Sequence, residues 1–164
     1  MKKILIITSL ILGSLGFAKA QTDYCKDITK TVDSALNKIQ YSSPYSYFYI
    51  NRSVRTFGFF TNFIFQARNH TANYNAVGII VQFTDGTYWK DLGVKVDCSY
   101  ENSDVGYTFM AIESFFTPDI PEKFIDFKLK KIKKITLGNI DIDVSDADAT
   151  KFMAYVNCIV AIKK

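Results

Sequence analysis

The chain has 164 residues, with 20 Lys plus Arg against 16 Asp plus Glu and a formal net charge of +4. This length suits a single domain. A hydrophobic fraction of 48% with 22% charged residues argues against intrinsic disorder. The chain has one histidine, three cysteines and no C-x-x-C spacing, so we expect neither a metal site nor a cofactor.

The first twenty residues have the three-part layout of a secretory signal peptide. Two lysines follow Met1, an uncharged apolar run covers 4–17, and Ala18-Lys19-Ala20 gives an A-x-A ending. The apolar run is shorter than the about 20 residues that a membrane-spanning helix needs, although an uncleaved anchor is the alternative. The sequence therefore predicts a cleaved signal peptide over 1–20 and a single globular domain over 21–164. We expect this domain to be exported, either periplasmic or secreted.

Cleavage changes the charge of the predicted domain. Three lysines and no acid lie within 1–20, which leaves 17 basic residues against 16 acidic ones. A charge near +1 argues against a nucleic-acid partner, because such domains carry a dominating basic patch. No second apolar run of spanning length follows, so we expect no transmembrane segment in the mature chain. The sequence leaves the oligomeric state open.

The first predicted element is a helix, and strands follow it. Apolar residues recur at three- and four-residue spacing over 22–40, which predicts an amphipathic helix that ends before Pro44. The pattern then becomes alternating and rich in aromatic residues, and Asp85-Gly86 predicts a hairpin turn. Strands are predicted at 45–50, 56–67, 77–83, 88–90, 94–100 after a bulge, 107–115 and 135–144.

Two segments near the C-terminus allow alternatives. Residues 123–130 alternate as a strand does, but a helix through Phe124 and Ile132 competes with this interpretation. Ser145 can cap a final helix whose apolar face includes Phe152 and Val156, and a strand over 152–160 is the competitor. Strands and helices do not alternate, which excludes a parallel doubly wound sheet. We predict an α+β fold: a curved antiparallel sheet of about six or seven strands flanked by an N-terminal and a C-terminal helix.

The three cysteines suggest one disulfide. Cys25 and Cys158 fall on the two predicted terminal helices, and a bond between them would close a very long loop. Cys98 ends an alternating run and is expected to point into the core. We favour the Cys25–Cys158 pair over the alternative of three buried free thiols, which pack as small apolar groups.

The candidate binding residues are aromatic. Tyr45, Tyr47 and Tyr49 should share one face of a strand, where phenol rings could grip a saccharide or a peptide. Trp89 could extend this surface. The alternative is that the rings cover the rim of the core. The leading prediction is an exported, non-enzymatic binding module of a bacterial envelope, of the ligand-binding, inhibitor or immunity type, whose partner is a protein, a peptide or a saccharide.

Two other function classes stay open at this point. A small hydrolase or lyase would use Glu113, which is flanked by apolar residues on a predicted strand, or His70 in an Asn-rich loop. The third class is a purely structural envelope component. We prefer the binding module to the enzyme, so we assign no catalytic residue.

Overall fold

The computed structural model describes residues 23–163, so the signal peptide predicted over 1–20 lies outside the described residues. Two antiparallel sheets and two α-helices make up this part of the chain. The strands are β1 (Thr29–Asp33), β2 (Lys38–Ser42), β3 (Phe48–Arg55), β4 (Gly58–Asn69), β5 (Val77–Phe83), β6 (Tyr88–Lys95), β7 (Asp97–Asn102), β8 (Gly106–Phe115), β9 (Ile132–Leu137) and β10 (Ile140–Asp143). The helices are α1 (Ile125–Leu129) and α2 (Asp146–Val160), with 3-10 helices at Tyr24–Asp27 and Glu122–Phe124.

The strands are divided between a six-stranded and a four-stranded sheet. The first has the order β1-β2-β3-β4-β8-β7, and the second has the order β10-β9-β5-β6. The antiparallel α+β organisation is therefore confirmed, but residues 23–163 form more strands than predicted and two sheets instead of one. The predicted strand over 94–100 ends early because the chain changes sheets at Val96, whose N–H donates to the carbonyl of Ala76. The strand predicted over 135–144 is a hairpin that turns at Gly138 and Asn139.

The core is built around one phenylalanine of α1. The Phe127 ring centroid lies 5.1–6.3 Å from six other rings, which come from both sheets and from the segment before α1. These rings belong to Phe48, Phe63, Phe65, Phe83, Trp89 and Phe124. Edge-to-face and offset ring pairs add to the free energy of apolar burial. Part of the high aromatic content of the sequence thus fills the core, while other rings, such as those of Phe57 and Phe116, are exposed.

The predicted N-terminal helix over 22–40 is wrong. These residues form a 3-10 helix and the β1–β2 hairpin. Val32 and Leu36, which the helical pattern placed on a buried face, are 61% and 62% exposed. The β-branched Thr29, Thr31 and Val32 favour a strand, and the turn is fixed by the Asp33 carboxylate, which accepts the N–H of Leu36.

The strand predicted over 123–130 is also wrong, and the helical alternative is correct only as far as Leu129, because Ile132 begins β9. Phe124 and Phe127 are both buried at a spacing of three residues, which fits a helical turn and not a strand. Leu129 is 64% exposed, although the alternation placed it inside. The segment ends with Lys130, whose N–H donates to the carbonyl of Asp126.

The C-terminal helix and the disulfide are confirmed. Ser145 caps α2, because its Oγ accepts the N–H of Asp148 at 3.1 Å. Cys25 and Cys158 form a disulfide that joins the N-terminal 3-10 helix to α2. Cys98 is a half-buried free thiol on β7. In residues 23–163 there is no helix with the length and apolar character needed to cross a membrane.

A buried arginine holds the far end of α2 against the six-stranded sheet. Arg52 of β3 is fully buried, and its Nη1 donates to the carbonyl of Val160 at 3.2 Å. Its Nη2 also donates to the carbonyl of Pro118, and its guanidinium lies 4.4 Å from the centroid of the Phe59 ring. Burial lowers the pKa of Arg52 below its usual range. A cation at the C-terminal end of a helix is favourable because the helix dipole is negative there.

Candidate functional site

Two of the predicted tyrosines lie together on the surface. Tyr45 precedes β3 and is 63% exposed, and its ring centroid is 5.1 Å from that of Tyr49 in β3. Burial raises the pKa of Tyr49 above its ordinary value, with a further contribution from Tyr45. These two rings form an aromatic edge next to the first residues of β3.

Tyr47 does not share this face, because the chain bends at Ser46 and Tyr47 before β3 begins. Its hydroxyl donates to the Asp148 carboxylate at 2.9 Å, and its ring packs edge-to-face on Phe152 at 5.3 Å. Burial, and then the bond to Asp148, raises the pKa of Tyr47 to about 12. Tyr47 therefore attaches the start of β3 to α2, while part of its side chain stays accessible from the other side.

Trp89 lies away from the tyrosines. It is 8% exposed in β6, where its ring stacks on Phe65 at 5.9 Å and lies 5.2 Å from Phe127. The structure thus brings Tyr45, Tyr47 and Tyr49 to one region and places Trp89 in the aromatic core.

A cleft of about 520 Å³ opens beside Tyr45 and Tyr47, between the two sheets. We call it the inter-sheet cleft. Three consecutive residues from each of three extended segments line it: Tyr45, Ser46, Tyr47, then Gln66, Ala67, Arg68 of β4, then Ile140, Asp141, Ile142 of β10. Its volume is in the range of small-ligand sites, and its walls combine aromatic, aliphatic and polar groups.

Gln66 is the most unusual residue of the inter-sheet cleft. Its side chain is 4% exposed, and its Oε1 atom is buried without a hydrogen-bond partner among the described residues. A buried polar atom without a partner costs roughly 1–3 kcal/mol. Three buried side-chain atoms of the described residues lack a partner, Arg52 Nε, Thr61 Oγ1 and Gln66 Oε1, and Gln66 is the one of these residues that lines the cleft. The Gln66 amide would have to turn toward the cleft for this oxygen to accept a hydrogen bond from a bound ligand, and that bond would remove the cost.

The charged residues of the inter-sheet cleft differ in how they are paired. Asp141 is held by Lys134, whose Nζ lies 2.5 Å from its carboxylate, and by Thr136, whose hydroxyl donates to it at 2.6 Å. These bonds, the one from Lys134 first, lower the pKa of Asp141. Arg68 is exposed and makes no ion pair within residues 23–163. Of the two charged residues that line the cleft, Arg68 is therefore the one without an ion pair among the described residues.

The two candidate catalytic residues are not in this cleft. Glu113 of β8 is 8% exposed, and Lys123 Nζ lies 2.9 Å from its Oε2 atom. The same lysine is 3.9 Å from the Asp91 carboxylate, so Glu113 belongs to a charge cluster at that place. His70 is exposed in the loop after β4. Neither residue is brought next to the tyrosines.

A second hollow lies at the opposite end of β4. Phe57 in the β3–β4 turn is 90% exposed, and Phe116 after β8 is 72% exposed. The ring of Phe116 is 4.7 Å from that of Phe60, and these rings border a hollow of about 400 Å³. At about 3.4 Å per residue along β4, this end lies roughly 30 Å from the inter-sheet cleft.

Sequence reasoning missed Gln66, Arg68 and the residues of β10. A glutamine inside an otherwise apolar strand was a visible signal, since buried amides need partners. The participation of Ile140–Asp143 had no local signal, because it depends on how the two sheets are placed. Comparisons of this chain with protein-family models, with curated proteins and with solved structures found no match.

Proposed function

We propose that this protein is an exported, non-enzymatic binding module of a bacterial envelope and that it holds a peptide or a saccharide in the inter-sheet cleft. The observation that carries the proposal is Gln66, which lines the cleft and whose Oε1 atom is buried without a partner among the described residues. Once the Gln66 amide turns toward the cleft, a bound partner with a hydrogen-bond donor would satisfy this oxygen, and leaving it unpaired costs roughly 1–3 kcal/mol.

The rest of the cleft supports the same proposal. Tyr45 gives an exposed ring with a hydroxyl at its tip, a combination that contacts apolar and polar parts of a ligand together. Ile140 and Ile142 give an aliphatic wall opposite it. Tyr47 is fixed by its bond to Asp148, so this part of the wall is already ordered before a ligand arrives.

The disulfide supports export. Cys25 and Cys158 are bonded, and disulfides persist in oxidising compartments such as the periplasm or the extracellular medium. This agrees with the predicted signal peptide, whose cleavage would leave a domain with a charge near +1. Such a domain has no general attraction for nucleic acid, so its binding would come from the local chemistry of the cleft.

Binding is tested with protein obtained by expressing the full chain in an exporting bacterial host. The protein is screened against an oligosaccharide array and a phage library of random peptides. We expect a ligand in one of the two arms whose affinity falls about tenfold or more in Tyr45→Ala and in Ile142→Arg, which fills the cleft with a long charged side chain.

Phe57→Ser is the matched control, because it removes an exposed ring at the far end of β4. It should leave ligand affinity unchanged, and circular dichroism should show that all three variants are folded. The proposal is wrong if neither arm gives a ligand, or if the ligands that appear bind Tyr45→Ala and Ile142→Arg as tightly as the unaltered protein.

A further inference from the structure

We infer that the partner in the inter-sheet cleft is an extended protein segment, which adds to the edge of β10 as a further strand and places an acidic side chain against Arg68. This inference rests on the proposed function, and it selects the peptide over the saccharide. The evidence for this inference is the direction in which the main-chain N–H and C=O groups of the cleft walls point.

The lining of the cleft shows that it runs along strand edges. Successive side chains of a strand point to opposite faces of its sheet. A ligand on a sheet face would therefore meet every second residue, whereas three consecutive residues of both β4 and β10 line this cleft. The walls are the edges of the two strands, where main-chain groups are presented.

The first edge is that of β10, which is the last strand of its sheet and pairs only with β9. Val144 N–H donates to the carbonyl of Lys133 at 3.0 Å, so every second residue before it also bonds to β9. In this alternation the main-chain N–H and C=O groups of Asp141 and Asp143 point away from β9. These groups form an open edge on the cleft side.

The second edge is the end of β4. Gln66 N–H donates to the carbonyl of Tyr47 at 2.8 Å, which shows that its main chain is directed toward β3. The main-chain N–H of Arg68, two residues further on, points to the same side of β4. Because β3 begins at Phe48, which pairs with Phe65, no residue of β3 lies opposite Arg68. No residue of the described chain bonds to the main-chain N–H of Arg68 on this side.

Open edges of this kind bind extended segments through main-chain hydrogen bonds, and side-chain pockets on alternate residues give specificity. Ile140 and Ile142 supply an apolar contact, Gln66 Oε1 needs a donor, and Arg68 has no ion pair in the described part of the chain. An acidic side chain on the segment complements Arg68. A saccharide could use the side chains but has no repeating N–H and C=O pattern to match two strand edges.

The test begins with peptides selected from the random phage library on the exported protein. Each peptide is then resynthesised with one N-methyl group at successive positions, which removes one main-chain donor without altering the protein. We expect affinity to fall about tenfold at alternate positions and to change little between them. Amide hydrogen exchange should show the N–H groups of Arg68 and Asp141 newly protected in the complex.

Charge reversal tests the side-chain part. Selected peptides should contain Asp or Glu, should lose about tenfold in affinity for Arg68→Glu, and should regain it when that acid is changed to Lys. Arg55→Glu, at the end of β3 opposite Gly58 of β4, is the control and should leave affinity unchanged. Strand addition is overturned if N-methylation has the same effect on affinity at every position of the peptide. It is also overturned if Arg68→Glu binds the peptides as tightly as the unaltered protein.

The outcomes separate this inference from the proposed function. Oligosaccharide binding that depends on Tyr45, without any peptide binding, overturns the inference and keeps the proposed function. If peptides bind the Tyr45→Ala or Ile142→Arg variant as tightly as they bind the unaltered protein, they bind outside the cleft. This result contradicts both the inference and the proposed function.

Discussion

Removing the disulfide should destabilise the protein by several kilocalories per mole. The perturbation is the double variant Cys25→Ser, Cys158→Ser, which replaces the two sulfur atoms by hydroxyls of similar size. Cys25 is exposed and Cys158 is half-buried, so the loss of apolar burial is small. The main effect is on the unfolded chain, which loses a cross-link between residues 133 positions apart.

The magnitude follows from the separation of 133 residues between the two cysteines. In the chain-entropy model, closing a loop of this length lowers the entropy of the unfolded state by about 17 cal/mol/K, or about 5 kcal/mol at 25 °C. Native disulfides removed from secreted domains typically cost 2–5 kcal/mol, so we expect a loss of roughly 3–5 kcal/mol. With a urea dependence of about 2 kcal/mol/M, the unfolding midpoint should move down by roughly 2 M.

The assay is equilibrium unfolding in urea followed by circular dichroism. The unaltered protein with a reductant should unfold at the same urea concentration as the double variant, because both lack the cross-link. Cys98→Ser is the control, since Cys98 is unbonded, and it should shift the free energy of unfolding by about 1 kcal/mol or less. A loss below about 1 kcal/mol in the double variant would refute the argument from loop closure.

Three further predictions concern single residues. Tyr47 and Tyr155, whose pKa values are each raised to about 12, should ionise after most of the ten tyrosines when tyrosinate absorbance is followed with pH. These two tyrosines ionise near pH 10 in the unfolded state, so between pH 10 and 12 the unfolded state has lost more protons than the folded state. The free energy of unfolding should therefore fall as the pH rises through this interval. Ionisation of all tyrosines near pH 10 would contradict this prediction. Gly138→Ala should lower the melting temperature far more than Gly86→Ala, since both have positive φ but only the first would place a Cβ 2.3 Å from a main-chain oxygen; equal losses would contradict the contact. Ser145→Ala should cost about 1 kcal/mol by thermal unfolding through loss of the cap of α2, and an unchanged stability would show that the cap contributes nothing.

Strong local signals were sufficient for several elements. Asp85-Gly86 predicted the hairpin between β5 and β6, and Gly86 does adopt a positive φ of 86°. Ser145 with two following acids predicted the start of α2. These features depend on residues that are neighbours in the sequence, so the surrounding fold adds little to them.

Periodicity failed where exposed apolar residues imitated a buried face. Val32 and Leu36 lie four residues apart as on a helix, yet both are mostly exposed in the β1–β2 hairpin. The prediction for the segment around Phe127 failed for another reason. The helix there has five residues, which is too short for the spacing of apolar residues in a strand and in a helix to be told apart. Local propensity is a weak guide when tertiary packing decides the conformation.

The candidate site was only partly predictable. The tyrosine series predicts a binding surface at 45–49, and two of its three tyrosines, Tyr45 and Tyr47, line the inter-sheet cleft. The sequence also predicts Trp89 as part of this surface, but its ring packs on Phe65 in the core. An aromatic residue in a strand has the same local sequence signal whether its ring faces solvent or other rings. The contribution of β10 to the cleft depends on the placement of one sheet against the other, which no local pattern encodes.

The positions of the cysteines also impose an order of events during synthesis. Cys25 emerges first, and its partner Cys158 follows only after a further 133 residues have been made. Cys98 emerges between them and would compete for Cys25 in an oxidising compartment. In the folded protein Cys98 is half-buried on β7 opposite Phe109 of β8. Early formation of the β7–β8 hairpin would therefore protect the correct pairing by withdrawing the competing thiol before Cys158 is available.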